Sequence, residues 1–155
     1  MMQQRDIKNI LLRLITKIIT IKNTTAQLFL ESAINRSITY KELSDKTFEQ
    51  LNDEDFHFSP NEECNNISII IQHMHGNMVS RWTDLLNSDG EKIWRKRDEE
   101  FEDQYFNKKQ LLSIWEEGWN CFLSALRSLS EADLEKIILI RSEPLLVLED
   151  RKSVV

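Results

Sequence analysis

Apolar positions recur at spacings of three and four through most of the chain. Ile67, Ile71, Met74, Met78, Trp82 and Leu85 share one face of a predicted helix. Asn65 or Asn66 stands where a short side-chain oxygen accepts from the first helical amides. Asn87-Ser88-Asp89-Gly90 closes the stretch, with Gly90 free to take positive φ. Ile69 and Ile70 lie off the stripe, so the helix begins apolar nearly all round and belongs among other helices. Phe29, Leu30, Ala33, Ser37, Tyr40, Ser44, Thr47, Phe48 and Leu51 keep the same rhythm behind a Thr24 or Thr25 cap. Leu112, Trp115, Trp119, Phe122, Leu126 and Leu129 keep it without a miss, behind an Asn107/Gln110 capping box. Leu111, Ile114, Cys121 and Ala125 widen that last stripe beyond a two-stranded seam.

The joints between these stripes are polar. Asn52-Asp53-Glu54-Asp55 breaks the first and places carboxylates at the start of a helical turn, where the dipole suits them. Phe56-His57-Phe58 follows as a loop whose two aromatics plug a bundle end. Ile93 to Phe106 is a charged connection with Trp94 as its main apolar anchor. Ser130 with Asp133 starts a short helical turn. Lys136 to Arg141 is β-rich, Ser142-Glu143-Pro144 turns, and Leu145 to Glu149 is apolar, which makes a short extended excursion. With three Gly and two Pro in 155 residues, there is little material for a turn-rich β fold. The expectation is one all-α domain.

A net charge of −6 gives no electrostatic footprint for nucleic acid, and no stretch is apolar enough to span a membrane. Cys64 and Cys121 match no zinc or redox spacing and read as reduced thiols of a cytoplasmic protein. Of the three histidines, His73 and His75 stand at i, i+2 and point apart on a regular helix, so they do not grip one ion together. Periodicity favours His75 as the more buried, although the apolar first turn leaves the choice open. His57 sits in a surface loop. Trp115, Trp119 and Phe122 either pack as core or frame an apolar pocket. The acidic run Asp98 to Asp103 lacks calcium-loop spacing. No phosphate loop, nucleophile elbow or catalytic carboxylate pair is present.

His73-Met74-His75-Gly76-Asn77, Ser80-Arg81-Trp82-Thr83-Asp84, Ser88-Asp89-Gly90-Glu91-Lys92 and Arg97-Asp98-Glu99-Glu100-Phe101-Glu102 form a run that resembles a branch of the DinB-like superfamily known only as a domain of unknown function. The likeness runs from about Thr24 to Glu149. It implies a four-helix up-down bundle, often a homodimer. In many relatives a divalent metal sits on three histidines, one from the second helix and two at His-x-x-x-His spacing in the last. His73 matches the second-helix ligand. The superfamily includes thiol-dependent S-transferases and metal-dependent hydrolases.

The ends depart from that pattern. Residues 1–23 are basic and Ile-rich. They match translated AT-rich DNA upstream of a true start as well as they match a genuine extension, a membrane-surface helix or a transit-like leader. No His-x-x-x-His occurs anywhere, so most of the last helix is expected to be missing. Residues 150–155 match one reading frame of a sequencing adapter and are expected to be an artefactual tail after residues 24–149. A bundle short of one wall is expected to be molten, aggregation-prone or self-associated, because each large apolar side chain left in water forfeits about 1.5–3 kcal/mol. The expected parent holds Zn²⁺ or Ni²⁺, and this chain, with one of three ligands, is expected to hold no metal and to be inactive. The alternative is a non-enzymatic bundle for dimerisation or for binding a small apolar molecule.

Overall fold

The computed structural model describes residues 23–61 and 63–150. Expectations that fall on residues 1–22 and 151–155 lie outside them. The fold is an all-α bundle with a C-terminal excursion. Helix α1 is Thr25–Glu49, α2 is Asp53–His57, α3 is Ile67–Trp82 and α4 is Lys108–Ser128. The excursion is a 3₁₀ turn at Glu131–Glu135, an antiparallel hairpin of β1 (Ile137–Ile140) and β2 (Glu143–Leu146), and a last 3₁₀ turn at Val147–Glu149. No helix among the described residues is long and apolar enough to cross a membrane.

The caps read from sequence are made. Thr24 and Asn107 each accept from the third helical amide and donate their own amide to that residue's side chain, and Asn66 accepts from Ile69; Asn52, not read as a cap, does the same as Thr24 and Asn107 for α2. Each cap satisfies amides that the helix itself leaves orphaned. The stop of α3 differs from expectation. The helix ends at Trp82, and the residue at positive φ is Asp84 (φ 51), with no glycine in that region among the described residues. Gly90 serves another purpose. Its amide donates to Leu139 O at 2.8 Å, and an added Cβ would stand 3.3 Å from the Ile140 side chain. The hairpin therefore lies against it. That hairpin turns at Arg141-Ser142, whose φ values of 56 and 64 suit a two-residue loop, one residue earlier than the sequence pattern suggested.

α4 is the spine. It forms the most extensive helix pair with α3, and α1 packs on its other side. Trp115, Trp119 and Phe122 are buried and step edge-to-face along α4, with centroids 5.4 and 5.8 Å apart. Trp82 meets Phe122 at 4.7 Å and Phe48 meets Trp115 at 5.2 Å, which ties both neighbouring helices to the spine. Trp115 Nε1 also donates to Asp45 of α1. Phe56 plugs one bundle end, while Phe58, its expected partner in that role, is exposed.

The up-down alternation is corrected for one step. His75 approaches Gly118, the Cys121 thiol donates to Met78 O, and Trp82 meets Phe122. Residue numbers rise together on both helices, so α3 and α4 run parallel. A parallel pair needs a connection that returns the full helix length. Residues 83–107 supply it as a strap laid back along α3. Ser80 Oγ donates to Gly90 O and accepts from the Lys92 amide. Further back, Gln72 donates to Glu102 O, and Ser68 and Asn66 both donate to Asp103. Trp94 is not the anchor of this strap. It is exposed, and its neighbour Arg95 is buried instead.

Candidate functional site

His73 lies at mid-α3, under the strap, with its side chain 33 % exposed. Its Nδ1 stands 3.0 Å from Glu100 Oε2, and the Phe101 ring covers it at 4.7 Å between centroids. Glu100 is held in turn by both arms of Arg95, Nε at 2.7 Å and Nη2 at 2.8 Å. Burial opposes the Arg95 charge, but Glu100 and Glu91 outweigh it and hold the guanidinium more firmly protonated. Gly76 makes the arrangement fit, because a Cβ there would run into the Glu100 carboxylate. A glycine inside a helix costs about 1 kcal/mol against alanine, so it needs such a reason.

An ionised carboxylate only accepts. Nδ1 therefore donates, and in the neutral imidazole the lone pair lies on Nε2. Nε2 has no hydrogen-bond partner among the described residues. One turn further on, the same face of α3 presents Asn77, whose buried Oδ1 also lacks a partner among them.

The other two histidines are placed elsewhere. His75 points toward α4, where Nε2 comes within 3.3 Å of Glu117 Oε2 without the alignment of a hydrogen bond. His73 and His75 therefore do point apart, as their spacing requires. His57 has both ring nitrogens engaged, Nδ1 with Asp103 at 2.7 Å and Nε2 with Phe106 O at 3.0 Å, so it offers no ligand.

Asp103 is the centre of a structural knot between α2, α3 and the strap. Burial pushes its carboxyl up, but hydrogen bonds from His57, the Tyr105 amide, Asn66 and Ser68 prevail and hold it below its ordinary value. The folded state thus binds its proton less tightly than the unfolded chain. Its contribution to stability is complete above the unfolded pKa of about 3.9 and is lost as pH falls through the lower folded value. Asp103→Asn is expected to cost about 1–3 kcal/mol at pH 7 and to flatten the decline in stability below about pH 5. Urea unfolding at a series of pH values checks both; an acid limb as steep as the parent's would contradict the assignment.

A second concave feature lies across the bundle. A cavity of about 300 Å³ opens between α1, the C-terminal half of α4 and the 3₁₀ turns of the excursion. Phe29, Ala33 and Tyr40 line one wall, Phe122 and Leu126 another. Of the three aromatics expected to frame a pocket, only Phe122 reaches it; Trp115 and Trp119 are core. Asp150, placed by sequence in the foreign tail, closes one end. Its side chain is 1 % exposed and pairs with Arg81 at 2.6 Å.

Residues 24–153 match the family model described as "Protein of unknown function (DUF1572)". The chain belongs to this family. No curated protein and no solved structure matches it.

In this DUF1572 chain, no group of three or more His, Cys, Asp or Glu among the described residues is placed to hold a metal ion. His73 and Asn77 present open donors, and the described residues do not complete a set of ligands around them. Sequence reading singled out His73 but not its neighbours Glu100 and Arg95, although Glu100 stands in the run that carries the superfamily resemblance. The available signal was Gly76, a helix-interior glycine without a turn to explain it.

Proposed function

We propose that this chain supplies one face and one ligand, His73 Nε2, of a divalent-metal site whose other ligands come from outside the described residues. Zn²⁺ and Ni²⁺ suit an imidazole donor. The reaction class that goes with the resemblance is thiol-dependent S-transfer or hydrolysis. A bound ion would supply Lewis-acid activation of a thiol or water. The observation that supports the reading is the Glu100–His73 contact. A carboxylate on Nδ1 fixes the tautomer and ring orientation, as outer partners of metal-bound histidines do. Arg95 and Gly76 hold that carboxylate in place, and Phe101 restricts the ring. By itself this face offers a single imidazole, so no useful affinity or activity is expected of it alone.

The test is metal content. The native gene product, purified without a histidine tag or chelator, is assayed for Zn and Ni. About one equivalent that His73→Ala removes and His75→Ala retains is the expected result. A metal-free product, or metal that survives His73→Ala, overturns the proposal.

A second reading, a non-enzymatic bundle that self-associates or encloses a small apolar molecule, draws on the 300 Å³ cavity. A volume of that size lies at the lower end of ligand pockets, about 300–1,000 Å³. A metal-free native product favours this reading.

A further inference from the structure

The strap over α3 has two parts of different build. Residues 84–92 are anchored. Leu85 is buried and Leu86 packs on the core. Asp89 accepts from the Arg141 and Ser142 amides at 2.8 and 2.6 Å, which pins this part to the hairpin. Residues 93–104 have no such anchor. Among the described residues, no side chain of this part joins the apolar core, and Ile93, Trp94 and Phe101 are exposed. What it meets on α3 is polar: the buried Ser68 and Gln72, and His73. The chain rejoins the core at Phe106. Tyr105, just before it, stands at φ 53, where a bulky side chain is rarely found.

We propose that residues 93–104 are a lid that swings off α3 while the rest of the fold stays in place, uncovering His73 for a ligand. Three observations carry it. The first is the chemistry of the parting surfaces. Segments with few buried apolar contacts open separately from the fold that bears them. Both surfaces here are polar, so water replaces the hydrogen bonds that opening breaks. Arg95, Glu100 and Asp103 also recover hydration that burial denies them. The second is the pair of hinges. On one side the Lys92 amide is fixed by Ser80 Oγ, and the next side chain, Ile93, is free in water. On the other, Tyr105 leaves its left-handed backbone when the lid lifts. The third is the seat. Glu100 closes against Gly76, where a Cβ has no room, and Phe101 lies over the His73 ring. The closed position is therefore specific, and leaving it frees the imidazole. The lid stands without the metal reading; only the nature of what it admits rests on that reading.

Thiol labelling tests it. Ser68 lies beneath the lid at Asp103 and Ser80 beneath the anchored part at Gly90, both fully buried. Ser68→Cys and Ser80→Cys are placed one at a time in the full chain carrying Cys64→Ser and Cys121→Ala. Metal-free protein is then labelled with an aromatic disulfide reagent at urea concentrations below the unfolding transition. Ser68→Cys is expected to react about a hundredfold faster than Ser80→Cys, at a rate nearly flat in urea, because a local opening exposes little surface. Gly76→Ala, whose added Cβ would run into the Glu100 carboxylate, is expected to speed Ser68→Cys labelling about tenfold further and to leave Ser80→Cys unchanged. Equal rates with the same steep urea dependence at both positions overturn the proposal. Where a cysteine variant fails to fold, hydrogen exchange of the unsubstituted chain decides. The amides of Glu99, Glu100 and Glu102, each bonded within the lid, are expected to exchange by a route insensitive to urea. Exchange of these amides only through global unfolding overturns the lid. Metal content is read separately, so the failure of either proposal leaves the other standing.

Discussion

Arg95→Ala is expected to lower the unfolding free energy by about 3–5 kcal/mol, the usual cost of breaking a buried ion pair from one side. The Arg95 side chain is 4 % exposed and grips Glu100 with two nitrogens. Its removal leaves the Glu100 carboxylate enclosed against Gly76, with His73 as its remaining partner. The stranded charge, more than the lost contacts, sets the size of the effect. Glu100→Gln in the same chain removes that charge and should recover part of the loss. A double-mutant cycle by urea unfolding is expected to show coupling of about 0.5–3 kcal/mol, as for residues in one network. Additive losses would mean that Arg95 acts through packing alone. Against a total of about 5–15 kcal/mol for an ordinary domain, the single variant approaches the limit of folding.

Phe56→Ala is expected to cost about 3–5 kcal/mol, the range for emptying a large aromatic site. Phe56 is fully buried, its ring 5.6 Å from Phe48, with Lys108 Nζ 5.9 Å above it. It joins α1, α4 and the five-residue α2, which is too short to stand without tertiary contacts. The neighbouring His57 reaches Asp103 from the same short helix, so the loss should spread to that knot. Phe58, two residues on, is 69 % exposed, and Phe58→Ala should stay within about 0.5 kcal/mol. Thermal or urea unfolding of the pair checks the contrast. Equal losses would show that the plug is not Phe56.

The periodic elements were legible because burial writes a helical period into sequence. α4 is the clearest case: the aromatics of its stripe are the core. Caps were legible for a similar reason, since Thr24, Asn66 and Asn107 act within three residues of themselves. The strap was not. Arg95, Glu100 and Asp103 are fixed by partners 27 to 46 residues away, or by each other against α3, and a run of alternating charges looks the same whether solvated or folded inward. Trp94 misled for the complementary reason, because size and apolarity argue for burial while the backbone turns it outward. His73 was singled out from sequence, but its surroundings were not. The carboxylate that orients it comes from the strap, and the parallel sense of α3 and α4 that brings the strap there has no local sequence mark.

α3 is gripped by two jaws of different material. α4 holds one side with rings and aliphatic chains; the strap holds the other with a guanidinium, carboxylates and backbone polar groups. The two should fail under different insults. Acid strong enough to protonate Asp103, below the ordinary carboxylate range, weakens one jaw and leaves the other its driving force, so residues 83–107 should peel away there while the long helices stay together. The face bearing His73 is the one that would then be laid bare.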